Sequence, residues 1–159
     1  MKKYTRLIII AGIVVILDQI TKELIMNTLP VSRSLSIIPG FFNLTHVQNP
    51  GGAFGFLAQQ SDLVRKFVFI FISILAAGMV LWFYKKTPES HPFLAAGFAL
   101  IFGGAVGNLI DRIRFGSVVD FLDVYAGSYH WPAFNVADSA ITIGIAIFVF
   151  HLLFREIPE

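Results

Sequence analysis

Four long apolar runs, at about 4–26, 67–84, 93–110 and 139–154, limit what this chain can fold into more than anything else in it. Each approaches the roughly 20 apolar residues that a helix needs to cross the hydrocarbon core of a bilayer. Only 14% of the chain is charged, against 56% hydrophobic, so it cannot cover a globular surface with polar groups. The expectation is one integral membrane domain over 1–159: an all-α membrane protein with four transmembrane helices.

The start, Lys2-Lys3-Tyr4-Thr5-Arg6 before an apolar stretch, imitates a secretory signal peptide. Asp18-Gln19-Ile20-Thr21-Lys22 stands where a small-residue cleavage site would be needed, so the segment reads as a retained first span. Lys and Arg divide evenly between the two faces of a four-span chain. Three of them, Lys2, Lys3 and Arg6, precede the first span and favour both termini inside.

The absence of cysteine removes thiol nucleophiles, disulfides and thiolate metal sites. His46, His91, His130 and His151 are scattered without ligand spacing, which argues against a zinc enzyme. No metal or other cofactor is expected, and the charge pattern holds no nucleic-acid footprint.

The two outer segments, about 27–66 and 112–137, carry the interest. In the first, Pro39-Gly40 separates two strand-like runs, Leu35 to Ile38 and Phe41 to Val47, which predicts a small β-hairpin. Phe41 and Phe42 suit the headgroup layer. Asn49-Pro50-Gly51-Gly52-Ala53-Phe54-Gly55 follows, read either as a flexible turn or as a surface that accepts an extended peptide. The second outer segment holds Asp120, with Tyr125, Tyr129, His130 and Trp131 as ordinary interface anchors.

Carboxylates beside hydrocarbon are expensive, and two flank a short polar loop here: Asp120, and Asp138 just before the last apolar run. Asn135 three residues ahead of Asp138 resembles a helix N-terminal capping arrangement, a structural reading that leaves Asp120 unexplained. Asp18 and Lys22, at i and i+4, can form an ion pair. Asn108, Asp111 and Arg112 close the third span after the small-residue stretch Gly103 to Gly107, which permits tight helix packing. Two carboxylates sharing one water would hold one proton between them. The ionised member could activate the water, while the protonated one polarises a carbonyl.

In order along the chain, Asp18-Gln19-Ile20-Thr21-Lys22, Asn49-Pro50-Gly51-Gly52-Ala53-Phe54, Gly104 to Arg112, Val118-Val119-Asp120-Phe121 and Trp131 to Ser139 resemble the signal peptidase II family. The resemblance implies four transmembrane helices with an extracytoplasmic β-cradle where the hairpin is predicted, and both termini in the cytoplasm. It implies an aspartyl peptidase of the bacterial cytoplasmic (inner) membrane, active at the extracytoplasmic face. Its substrates would be prolipoproteins bearing a diacylglyceryl cysteine, cut on the N-terminal side of that cysteine. Asp120 and Asp138 match the catalytic dyad. Asn49, Gly51, Asn108, Arg112 and Asn135 match positions lining the substrate site, and Asp18, Lys22, Asp111 and Ala137 match its support. Membrane lipids are the other expected partners of a monomeric chain. Gly52 and Gly55 stand where the family usually has alanine and often serine. Rival readings are a proton- or ion-coupled transporter, a non-catalytic membrane subunit, and a peptidase using Ser139 or Lys22.

Overall fold

The structure, a computed structural model, describes residues 2–51 and 60–154. Along the chain come α1 (Lys3–Thr28), β1 (Ser34–Ile38), β2 (Phe42–Asn49), α2 (Asp62–Lys86), α3 (Pro92–Phe115), β3 (Val118–Ala126), β4 (Tyr129–His130) and α4 (Val136–Phe154).

Helices α2 and α4 begin ahead of the apolar runs that announce them because polar residues cap their first turns. Ser61 Oγ accepts the Val64 N–H at 3.4 Å, starting α2 at Asp62 rather than near 67. Asp62 in its first turn and Lys85 and Lys86 in its last complement the helix dipole. Helix α3 opens on Pro92 and ends only at Gly116, whose φ of +78° suits a residue without Cβ. Asn135 Oδ1 accepts from Asp138 N at 2.9 Å, and Asp138 Oδ2 accepts from Asn135 N at 3.3 Å. This reciprocal capping box starts α4 at Val136.

Helix α3 packs against α1, α2 and α4 and forms the axis of the bundle. Its small residues set the spacing. A Cβ on Gly104 would lie 2.4 Å from the carbonyl oxygen of Ala137 in α4, and one on Gly107 would lie 2.6 Å from Asp18 Oδ2 in α1. At the end remote from the sheet, Tyr84, Leu94, Ala95, Phe98 and Ala99 form the apolar core. Elsewhere the outer surface is hydrocarbon: Ile8, Ile13 and Ile16 on α1, Phe67 and Phe71 on α2 and Leu153 on α4 are exposed. Helices α2, α3 and α4 are each long and apolar enough to cross a membrane.

The chain is mostly helical, and its small β structure is larger than the hairpin that sequence predicts. The β1–β2 hairpin is present, but β3 adds along β2 and short β4 along β3, giving an antiparallel sheet in the order β1-β2-β3-β4. Asp120 is thus on a strand rather than in a loop, paired with Val47, while Asn49 pairs with Val118. Asp120 and Asp123 interrupt the alternation that marks a strand, and the C-terminal half of β3 is pinned by side-chain contacts to other elements. Asp123 accepts from Asn43 Nδ2 at 2.9 Å and meets His130 Nδ1 at 2.8 Å. The His130 ring stacks on Tyr125 at 4.7 Å, and Tyr125 Oη accepts from Gly40 N at 2.9 Å.

Because the atom facing Gly104 is backbone, nothing can swing aside for a larger residue. Gly104→Val is expected to cost about 2–3 kcal/mol or more and to lower the melting temperature in detergent by roughly 5–10 °C. Gly12→Ala, with nothing within 4 Å of its Cβ, should leave the melting temperature unchanged or slightly raised.

Candidate active site

The two aspartates of the sequence reading meet at the junction of sheet and helices. Asp120 is 3% exposed on β3, and each of its oxygens is held: Oδ1 accepts from Asn135 Nδ2 at 2.8 Å, Oδ2 from Asn49 Nδ2 at 3.1 Å. Asp138, half-buried in the first turn of α4, accepts on Oδ1 from Asn108 Nδ2 at 2.8 Å and on Oδ2 from Asn135 N. Asn135, fully buried, therefore touches both carboxylates, one through its side chain and the other through the capping box.

Burial pushes the Asp120 carboxyl up to about 6, and the neighbouring Asp138 charge adds to the rise; hydrogen bonds from Asn49 and Asn135 oppose it. The remaining polar positions orient these donors. Asn49 Oδ1 accepts from Gly51 N at 3.0 Å, which leaves its amide group free to face Asp120. Gly51 needs a φ of +85°, and a Cβ there would strike the Phe69 ring at 2.8 Å. The rest of the glycine strip, including Gly52 and Gly55, lies outside the described residues. Arg112 donates to the Asn108 carbonyl at 3.3 Å and lies in the field of Asp138, Asp111 and Asp120.

Behind the two aspartates is a buried ion cluster. Lys22 Nζ lies 2.9 Å from Asp18 Oδ2, 2.8 Å from Asp111 Oδ2 and 3.0 Å from Asn108 Oδ1, so all three of its donors are used. Asp18 Oδ1 accepts from Ala137 N at 3.0 Å, and Asp111 Oδ2 accepts from Val119 N at 3.1 Å. Each carboxylate thus holds the backbone one residue before Asp138 or Asp120. Gln19, given no role by the sequence reading, completes the cluster, donating to Asp111 Oδ1 at 2.9 Å and to Gly107 O at 3.2 Å. The signal available for it was its place between Asp18 and Lys22.

The rival nucleophiles are otherwise engaged. Ser139 Oγ donates to the Asn135 carbonyl at 2.9 Å with no base beside it, and Lys22 is saturated by its anionic partners. A pair of carboxylates with unlike surroundings, one deeply buried and one at a helix N-terminus, is suited to hydrolysis by activated water.

The sequence pattern of the family described as Signal peptidase (SPase) II matches residues 10–154. A lipoprotein signal peptidase of Desulforapulum autotrophicum is 58% identical over 154 residues, covering 97% of this chain and 95% of that one. One from Syntrophus aciditrophicus is 47% identical, covering 94% and 92%. A solved bacterial membrane enzyme, determined by the in meso method at 1.9 Å, superposes with a TM-score of 0.82 at 36% identity, covering 94% of each chain.

Two predictions follow from the geometry. Asp120 binds its proton more tightly in the folded protein than in the unfolded chain, so its stabilising contribution is complete below about pH 4 and is lost as pH rises through about 6. The melting temperature of wild type minus that of Asp120→Asn should therefore shrink between about pH 4 and pH 7, by the equivalent of at most about 3 kcal/mol. A difference that grows with pH would contradict the assigned environment. Lys22→Met leaves two buried carboxylates without their cation and should cost about 3–5 kcal/mol in thermal or denaturant unfolding. Destabilisation below about 1 kcal/mol would show the cluster to be dispensable.

Proposed function

The chain belongs to the signal peptidase II family, and from that premise we propose that Asp120 and Asp138 are the dyad by which it removes the signal peptide from diacylglyceryl-modified prolipoproteins. The enzyme is an aspartic-type lipoprotein signal peptidase. The observation that carries the dyad assignment is Asn135, one buried residue hydrogen-bonded to both carboxylates.

The raised proton affinity of Asp120 makes it the holder of the shared proton. Asp138, on the open side, accepts a proton from a water molecule as that water attacks the carbonyl carbon on the N-terminal side of the lipid-bearing cysteine. Asp120 donates its proton to the carbonyl oxygen. The tetrahedral diol then collapses: the C–N bond breaks, the Asp138 proton passes to the leaving amine, and the diol returns a proton to Asp120. The products are a signal peptide with a free carboxylate and a lipidated cysteine with a free amine. No covalent enzyme intermediate and no cofactor enters. Asn49, Gly51, Asn108, Arg112 and Asn135 line the substrate site in this reading, with Asp18, Lys22, Asp111 and Ala137 supporting it.

The four-span arrangement is supported by α1, whose 26 residues measure about 39 Å, more than the roughly 30 Å hydrocarbon core, and expose apolar side chains. The sheet and both aspartates share one end of the bundle. The other end carries Lys2, Lys3, Arg6, Lys85 and Lys86, with Lys3 Nζ donating to the Lys85 carbonyl at 2.8 Å. Lys and Arg are equal in number at the two ends, but the packing of three of them ahead of α1 supports a reading with both termini in the cytoplasm and the dyad at the extracytoplasmic face of a bacterial cytoplasmic membrane. The chain works there as one domain, a monomer among membrane lipids. Acids gathered at one end of a bundle argue against a transporter, whose sites sit near the midplane.

With a purified diacylglyceryl prolipoprotein in detergent, Asp120→Asn and Asp138→Asn should each lower kcat/KM by at least about 10³-fold. Neither should unfold the protein, and Ser139→Ala should keep most activity. Substantial cleavage by either aspartate variant would remove the dyad from the mechanism.

A further inference from the structure

An apolar groove leaves the site along one stripe of α4. Its upper part, with a cavity volume of about 510 Å³, opens at Asp138 and runs between Trp131, Pro132 and Phe134 on one side and Thr142 and Ile143 on the other. Ile143 also lines a second cavity of about 460 Å³, with Phe93, Ala146, Ile147 and Phe150. The positions 138, 142, 143, 146, 147 and 150 recur at helical spacing, so the two cavities lie end to end along one side of α4. The hydroxyls in the upper part offer substrate no free proton: Thr142 Oγ1 donates to the Asp138 carbonyl at 2.8 Å and Ser139 Oγ to that of Asn135. Asp138, Ser139 and Thr142 stand at its mouth, and below Thr142 the groove is lined by apolar side chains alone.

Resting on the function proposed above, we propose that this groove holds one acyl chain of the substrate's diacylglyceryl group, and that Ile143, Ala146 and Ile147 set the chain length the enzyme prefers. Two observations favour that occupant. The groove is continuous with the site, beginning at one of its two carboxylates. From Asp138 to Phe150 is twelve residues, about 18 Å, close to the depth of one leaflet of a core roughly 30 Å thick. A chain entering from lipid leaves surroundings as apolar as those it meets, so the groove selects by fit, and its effect on rate is correspondingly moderate.

The test compares one lipobox peptide carrying either two sixteen-carbon or two six-carbon acyl chains on its cysteine, cleaved by purified enzyme in the same detergent. Wild type is expected to favour the long-chain substrate about tenfold in kcat/KM, mainly through KM. Ala146→Trp, which fills the lower groove from an exposed position, should bring that ratio close to one, and Ala146→Leu should give an intermediate value. Leu152→Trp, on another side of α4, should keep the wild-type ratio. An unchanged ratio in Ala146→Trp, or no preference in wild type while both substrates are cut, overturns the groove assignment and leaves the peptidase reading intact. Failure of wild type to cut either peptide overturns both. If the tryptophan variant does not fold, a photoreactive group on the last carbon of the long chain decides with wild-type enzyme. Labelling within 143–150 supports the proposal. Labelling elsewhere, or labelling of 143–150 by a probe in the signal-peptide segment instead, refutes it.

Discussion

The end of this bundle that carries the sheet is organised around one buried ammonium group. Lys22 is 1% exposed, and taking a charge of that kind out of water costs several kcal/mol before any partner is counted. The cost is offset only because all three of its donors meet acceptors at 2.8 to 3.0 Å. Two of those acceptors, Asp18 and Asp111, are buried anions with the same problem. Each solves it by also accepting a backbone N–H from another element, Ala137 at the start of α4 and Val119 on β3. The electrostatics of burying three charges thus fixes where a helix and a strand may lie, and one tie falls just before Asp138, the other just before Asp120. The third acceptor, Asn108 Oδ1, has a comparable consequence. Because Lys22 can only donate, the amide oxygen of Asn108 must face it, and the amide nitrogen is left for Asp138.

Close helix packing is the condition for this cluster. Asp18 can reach Ala137 only because α1, α3 and α4 approach within backbone contact at Gly104 and Gly107. In lipid no hydrophobic force drives helices together, so small residues and interhelical hydrogen bonds must supply the association. Here the same stretch of α3 supplies both. The sheet is joined to the bundle by equally short-range means: Phe134 O accepts from Phe121 N and Leu122 N, and Phe134 N donates to Leu122 O, immediately before Asn135 begins the cap of α4. Asn135 is therefore fixed from the strand side and the helix side at once.

The apolar runs, the hairpin around Pro39-Gly40, the Asp18–Lys22 pair and the Asn135–Asp138 cap were all legible in sequence because each depends on residues a few positions apart. Strand β3 was not, since its pairing partner is β2, some 70 residues away, and its two aspartates break the alternating pattern. For the same reason sequence reading could name Asp111 and Gln19 but not say what they hold: their contacts cross from α3 to α1 and β3. The starts of α2 and α4 lie five and three residues ahead of their apolar runs because a polar cap is invisible to an apolarity criterion.

A chain this short can afford two carboxylates beside hydrocarbon only if they are made unequal. Asp138 lies at the positive end of the α4 dipole, where a negative charge is favoured, and it is half open. Asp120 lies on a strand, without such a dipole, and is almost wholly buried; its two amide donors do not outweigh desolvation. The asymmetry therefore comes from secondary structure itself, a helix terminus set against the interior of a sheet. The acid and base roles proposed for the two groups would differ because they come from different kinds of element.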